Sequence, residues 1–376
     1  MGARRLSLVP TRSALGALAL ALALAGAWPP AAAAAAASCP KLLMFDGLDL
    51  RTQNNAQQAA YWGREVGVQG FFVNGVMANW QVDVGTNPDS PLWREVTRFQ
   101  QLYAQDGVTD NFIKVALYKP HDWHDAAANA AVVTRFQHAA MLARHAGMKG
   151  IAIDMEPYTP TWGGPGLGPA LAPTVEQEGR AIGAAMHAAY PGMTLIVLPD
   201  VLVETRHYRT LVERFKSSVH TAKQGKPPPK YDAYALAVPF VHGLLAQPWK
   251  HLVVATEQTY SRNADGIDMA IEHTHERFEK LAGTQPQWQA FSTAPGLWTL
   301  GHTRTDKAAR ESPARFQRRL TTAYASAKRY VWIYGKGSAW QTDGPYAPGP
   351  VVADFDQYKA AIHAVRATCA AGAATD

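Results

Sequence analysis

The chain contains no Walker-type phosphate loop, no dinucleotide-binding fingerprint and no serine nucleophile elbow. Nucleotide hydrolysis, Rossmann-type cofactor chemistry and α/β-hydrolase catalysis therefore have no sequence support, and no cofactor is implied. Charge of one sign is also scarce. The formal net charge is +6, half of it carried by Arg4, Arg5 and Arg12 at the extreme N-terminus. With no clustered basic stripe elsewhere, a nucleic-acid partner is not implied. No segment repeats, and no composition shift marks a second domain.

Long apolar runs are missing too, with one exception. Ala14 to Ala27 is a Leu/Ala run of about 14 residues, too short to span a bilayer. Three arginines precede it, and the small residues Ala31 to Ala37 follow. That is the layout of a secretory signal peptide over residues 1–38, leaving residues 39–376 as an exported, periplasmic or extracellular chain without a transmembrane segment. Two variants of the export reading stay open. Arg4-Arg5 fits the twin-arginine route except that Ser7 stands where an apolar residue belongs, and Cys39 after Ala36-Ala37-Ser38 fits a lipid-bearing cysteine except for the missing leucine. Only two cysteines occur, Cys39 and Cys369, one just before the first predicted strand and one just after the last predicted helix. In an exported chain an even count points to a disulfide. In a closed barrel the chain ends meet, and such a bridge would contribute about 4–5 kcal/mol in the chain-entropy model. Two unrelated thiols is the alternative. Oligomeric state is not legible.

What the chain does have is a repeated alternation. Apolar runs of strand length lie at 41–46, 70–74, 112–118, 150–154, 194–198, 251–257, 287–293 and 330–334. Between most of them run amphipathic helical patterns such as ANAAVVTRFQHAAMLARHAG and ARFQRRLTTAYASAKR. Strands that are apolar throughout are buried on both faces, hence parallel. Eight such units predict an α/β fold, a (β/α)8 TIM barrel forming one domain with elaborated loops on its C-terminal face. The segment Tyr231 to Leu245 is a ninth strand candidate, read here as a broken helix. Were it a strand, Glu257 would end strand seven instead of strand six.

Barrel enzymes place their chemistry at the C-terminal ends of the strands. Polar and aromatic residues collect there: Asp46 and Asp49 after the first run, Asn74 after the second, then Tyr118 with His121, Trp123 and His124 after the third. Asp154 and Glu156 follow the fourth, with Tyr158 beyond them. Asp200 follows the fifth, Glu257 and Tyr260 the sixth, and Tyr334 the eighth, with Trp340 further on. Asp154 and Glu156 are two apart, so an extended backbone aims both into the barrel mouth. Pro157 keeps Glu156 extended. Two carboxylates that close do not both ionise cheaply, so one is expected to hold its proton and serve as a general acid. A salt-bridged or capping pair at a loop start is the plainer reading.

The stretch GIAIDMEP resembles the fourth-strand signature of the family 18 glycoside hydrolases, chitinases and related endoglycosidases: Gly, apolar, Asp, apolar, Asp, any residue, Glu. Gly150, Ile151, Ile153, Asp154 and Glu156 match. The resemblance implies Glu156 as the acid and Asp154 as its orienting partner. The aromatic end YVWIYGKGSAW is similar as well. Ala152 replaces the inner Asp, and the third strand lacks the family's Ser-any-Gly-Gly pattern, so the likeness points to TIM-barrel glycoside hydrolases at large.

Glu257 supplies a second carboxylate for a two-carboxylate mechanism, as nucleophile or as base. The expectation is an exported glycoside hydrolase acting on a polysaccharide or oligosaccharide. Its catalytic residues would be Glu156, Asp154 and Glu257. Asp46, Asn74, Tyr118, His121, Trp123, Tyr158, Asp200, Tyr260, Tyr334 and Trp340 would line the sugar site. Trp80, Trp93, Trp123, Trp162, Trp298 and Trp340 fall in predicted loops and suit the apolar faces of sugar rings. A non-catalytic carbohydrate-binding barrel is the first alternative, which Ala152 favours slightly. The second is a metal-dependent deacetylase or amidohydrolase using His121 and His124, although the His-any-His pattern expected on an amidohydrolase's first strand is absent.

Overall fold

Buried, β-rich segments separated by amphipathic helices have one economical solution, and the computed structural model of the chain adopts it. The strands β1 (Lys41–Asp49), β2 (Gly70–Asn74), β3 (Phe112–Ala116), β4 (Gly150–Asp154), β5 (Thr194–Leu198), β6 (His251–Thr256), β7 (Phe291–Leu297) and β8 (Tyr330–Tyr334) pair in order and close into a barrel. Every pairing is parallel, including β8 with β1. This is a (β/α)8 barrel, and Ser38–Thr375 form one compact unit. The structure describes residues 39–156, 161–163, 166–198, 234–260, 262–282, 291–300, 310–335, 340 and 354–373.

Residues alternate between two buried layers, as a strand's period of two requires. Leu43, Phe45, Phe72, Phe112, Ala152, Ile196, Val253, Ala294 and Trp332 fill the barrel interior. Their neighbours, such as Leu42, Met44, Phe71, Ile151 and Ile333, face the helices. Gly150 has φ +155, and a Cβ there would lie 2.0 Å from the Thr194 carbonyl oxygen. Only glycine lets β4 start that close to β5. The interior is closed at its N-terminal end by buried Asp110, which accepts from Lys41 Nζ at 2.7 Å and from the Tyr330 hydroxyl at 2.8 Å.

Helix starts follow local capping rules. Ser90 and Ser312 each cap a helix whose first residue is proline, Pro91–Gln105 and Pro313–Ser326, and Asp125 caps Ala126–Ala146. Gly147 closes Ala126–Ala146 in the left-handed conformation. The described part of the segment at 231–245 contains the helix Ala237–Leu244, so no ninth strand exists there and Glu257 follows β6. That helix lies flush on Ala172–Ala189, because Gly179 and Gly243 sit within about 2 Å, measured from a would-be Cβ, of the opposing carbonyls of Phe240 and Glu176. The seventh strand is Phe291–Leu297, four residues beyond the predicted run at 287–293. Cys39 and Cys369 are disulfide-bonded, with Cα atoms 5.8 Å apart across a separation of 330 residues. Among the described residues no helix is long and apolar enough to cross a membrane.

Candidate active site at the barrel mouth

The strand parity that fills the interior also decides what lines its open end. Ala152 faces inward on β4. Asp154 and Glu156, two and four residues on, follow the same side and are buried, at 4% and 9% exposure. Backbone pairing continues past the strand end, since Met155 N–H donates to the Leu198 carbonyl at 2.7 Å. Glu156 N–H donates to Asp154 Oδ1 at 3.1 Å, so Asp154 fixes the backbone that presents Glu156. The other carboxylate oxygen, Oδ2, lies 3.4 Å from Lys114 Nζ. Lys114 projects from β3, is buried, pairs in register with Ala152, and sets its ammonium 4.1 Å from the centre of the Phe45 ring.

Lys114 is the residue the sequence reading missed. Its signal was a single lysine inside FIKVALY, an otherwise apolar run. A charge in that position belongs to the interior of the barrel and needs an anionic partner there. The ammonium beside Asp154 and the Glu156 N–H bond to Asp154 Oδ1 are the features of the salt-bridged, loop-start pair that was the plainer reading of these two residues.

Two strands further round the barrel, Ala255 faces inward on β6, and Glu257, two residues on, is part-buried just past the strand end. Tyr260 completes the turn, its N–H donating to the Glu257 carbonyl at 3.0 Å. The Tyr260 ring packs edge-on to Trp332 at 5.3 Å and stacks on Tyr334 at 5.9 Å. Trp298, directly after β7, closes against both at 6.0 Å and 5.5 Å. Gly296 makes this possible: a Cβ there would sit 2.6 Å from the Trp332 indole and 2.9 Å from Tyr260 Cε1.

The Tyr260 hydroxyl is enclosed and has no hydrogen-bond partner among the described residues. Burial pushes its pKa well above the usual tyrosine value, and the charges of Glu257 and Glu156, Tyr334, and then the charge of Asp154 push it further.

The remaining expected residues divide. Asn74 ends β2 and Tyr118 lies two residues past β3, both part-buried, and Lys119 Nζ sits 5.2 Å from the Tyr118 ring centre. His121 is held in its loop: Nε2 is 2.6 Å from Asn129 Oδ1, and the ring packs against Trp80 at 4.9 Å and Trp123 at 4.7 Å. Burial lowers its pKa, against the opposing pull of Asn129, Asp122 and Asp125. Among the described residues no group of three or more His, Cys, Asp and Glu side chains is placed to hold a metal ion.

The sugar-platform expectation is corrected for Trp123 and Trp340. Trp123 is 1% exposed, packed with Trp80, Trp162 and Phe240, and its Nε1–H donates to the Thr161 carbonyl at 3.3 Å. Trp340 is 0% exposed between Phe316, Phe355 and Tyr358. Trp80, Trp93 and Trp162 are buried as well, so of the six candidate indoles only Trp298 is part-exposed. Tyr158 and Asp200 lie outside the described residues, as do the side chains of Asp46 and Asp49.

No protein-family model and no curated protein matches this chain. Solved structures do. A family 18 chitinase from Pseudoalteromonas aurantia is 10% identical, covering 78% of this chain and 93% of its own, with a TM-score of 0.42. A glycoside hydrolase family 5 enzyme from Prevotella bryantii is 11% identical, covering 87% and 97%, with a TM-score of 0.46. A D-allulose 3-epimerase from a Methylomonas species is 10% identical, covering 88% and 98%, with a TM-score of 0.44. Structural neighbours thus include glycoside hydrolases and a sugar epimerase, and the barrel itself rests on its own strand order.

Proposed function

We propose that this barrel is an exported hydrolase of glycosidic bonds in a polysaccharide or oligosaccharide. The observation that supports the reading is that Asp154 and Glu156 at the end of β4, and Glu257 just past β6, stand at the C-terminal end of the barrel beside the Tyr260, Tyr334 and Trp298 rings. Carboxylates from two strand ends at an aromatic-walled mouth are the equipment of acid/base glycoside cleavage. In this reading Glu156 donates a proton to the glycosidic oxygen as the bond to the sugar's anomeric carbon breaks. Asp154, tied to the Glu156 backbone and to Lys114, keeps the acid in place. Glu257 attacks the anomeric carbon or takes a proton from the attacking water. Tyr260, Tyr334 and Trp298 offer the part-buried rings against which a sugar's C–H face packs. The disulfide between Cys39 and Cys369 is compatible with an oxidising compartment.

The test is reducing-sugar release by the mature protein across bacterial exopolysaccharides, β-glucans, chitin and peptidoglycan, with Glu156→Gln and Glu257→Gln alongside. The expected outcome is release that both substitutions abolish while binding persists. Tight binding to one polymer with no release would replace the hydrolase by a carbohydrate-binding barrel. Release that a chelator abolishes and Glu156→Gln does not would replace it by metal-dependent chemistry.

A further inference from the structure

The turn that carries Glu257 and Tyr260 leaves β6 and could in principle take many conformations. It is bolted in place from outside the mouth. Arg319, on the helix Pro313–Ser326, is 3% exposed and donates through one terminal nitrogen to the carbonyls of Thr259 and Tyr260, both at 2.7 Å. Its other terminal nitrogen reaches both Glu311 carboxylate oxygens at 2.8 Å. Glu311 in turn donates its backbone N–H to the Thr299 carbonyl at 3.0 Å, one residue from Trp298. Thr259 adds a second bolt. Its Oγ1 donates to the Gly296 carbonyl at 2.7 Å and accepts from Gly296 N–H at 2.9 Å.

We propose that Arg319, locked by Glu311, is a positioning residue for the mouth, and that with Thr259 it sets where Glu257 and Tyr260 stand relative to Glu156. The inference rests on the glycosidase reading of that mouth. A buried guanidinium beside a buried carboxylate is weak as a stability device, because desolvation consumes most of the attraction. Here the pair satisfies backbone carbonyls of the loop after β6 and, through Glu311, of the loop after β7. It thereby ties together the two loops that bring Tyr260 and Trp298 against Tyr334. Catalytic groups work when held to a fraction of an ångström, and supporting hydrogen bonds supply that precision.

The test uses Arg319→Lys, Thr259→Val and Thr259→Ser in the full mature chain. Arg319→Lys keeps the charge and loses the two-carbonyl fork. Thr259→Val keeps the shape, touches no charge, and carries the test if Arg319→Lys does not fold. The first readout is the rate at which tetranitromethane nitrates Tyr260, followed by mass spectrometry. Nitration needs the phenolate, which burial of the Tyr260 hydroxyl disfavours. A freed turn should raise the Tyr260 rate by about tenfold or more, with thermal unfolding little changed and Thr259→Ser restoring protection. The second readout is turnover on the substrate identified above, where kcat should fall roughly 10- to 100-fold with KM nearly constant. Unchanged nitration in both Arg319→Lys and Thr259→Val would overturn the positioning role. Protection lost in the variants, where the wild-type protein cleaves no glycan, would leave the positioning intact and remove the glycosidase reading.

Discussion

Lys114 Nζ lies 3.4 Å from Asp154 Oδ2, with the two side chains 10% and 5% exposed. The register places Lys114 directly opposite Ala152, the position where the resembled signature carries a carboxylate. A charge that deep needs its partner. Lys114→Met should therefore destabilise the fold by about 3–5 kcal/mol, because it removes the cation beside a buried carboxylate. Combining it with Asp154→Asn should recover at least half of the loss, since both partners are then neutral. Urea midpoints of the two single variants and the double variant decide this. A Lys114→Met protein as stable as the wild type would mean that Asp154 is adequately solvated without the ammonium.

The tryptophans separate packing from recognition. Trp123 and Trp340 are fully enclosed, and their truncation to alanine should cost about 3–5 kcal/mol each. Trp298 is part-exposed beside Tyr260 and Tyr334. Trp298→Ala should leave the melting temperature within a few degrees while weakening glycan binding by roughly tenfold, measured by calorimetry with the polymer that binds. Equal loss of stability in all three would remove Trp298 from the sugar site.

The barrel was legible in the sequence because burial on both faces writes strands as uninterrupted apolar runs, and seven of the eight strands begin where those runs begin. The seventh was misplaced because FSTAPGL looks unlike a strand. Its Gly296 lets the Trp332 and Tyr260 rings close over the backbone, a tertiary demand that no local pattern announces. Trp93, expected in a loop, lies on the helix Pro91–Gln105, which Ser90, Pro91 and the spacing of Trp93, Val96, Phe99 and Tyr103 spell out. In the mouth, Asp154, Glu156 and Glu257 could be read from strand ends. Whether an indole lies over the mouth or under a loop depends on what packs on its far side, which is why Trp123 and Trp298 looked alike.

Part-buried histidines tie stability to pH. The pKa values of His121 and His251 are lowered, in both cases chiefly by burial. Between the lowered folded value and the ordinary value near 6.5, the unfolded chain binds more protons than the folded one. Their contribution is therefore fully present above about pH 6.5 and declines as the pH falls below it. The urea midpoint should drop between about pH 7.5 and pH 5.5, and His121→Gln, which cannot titrate, should show a smaller drop. An identical drop in the variant would assign the pH dependence elsewhere.

The bridge between Cys39 and Cys369 closes nearly the whole described chain into one loop across 330 residues. Loop-closure entropy makes such a bridge worth about 6 kcal/mol in the chain-entropy model. Cys39→Ser with Cys369→Ser should fold to the same barrel and unfold at a lower urea concentration, and a reductant should move the wild type toward the variant. A wild type whose midpoint ignores reductant under conditions where free thiols are detected would show that the chain ends are held by helix docking alone.

Gly296 is where packing and site meet. A methyl group at this position falls 2.6 Å from Trp332 ring carbons and 2.9 Å from Tyr260 Cε1, and neither ring has an easy retreat, since Trp332 Nε1–H donates to the Ala294 carbonyl at 3.0 Å and Tyr260 stacks on Tyr334. Gly296→Ala should cost about 1–3 kcal/mol by overpacking and change the near-ultraviolet circular dichroism that these rings generate. Gly168→Ala, at a position with nothing within 4 Å, is the matched control and should do neither. Because the displaced ring is Tyr260, turnover should fall further than stability alone accounts for, and measuring both at a temperature where the variant is fully folded separates the two. Full turnover in a Gly296→Ala protein with a shifted aromatic spectrum would show that the exact seat of Tyr260 is immaterial to the chemistry.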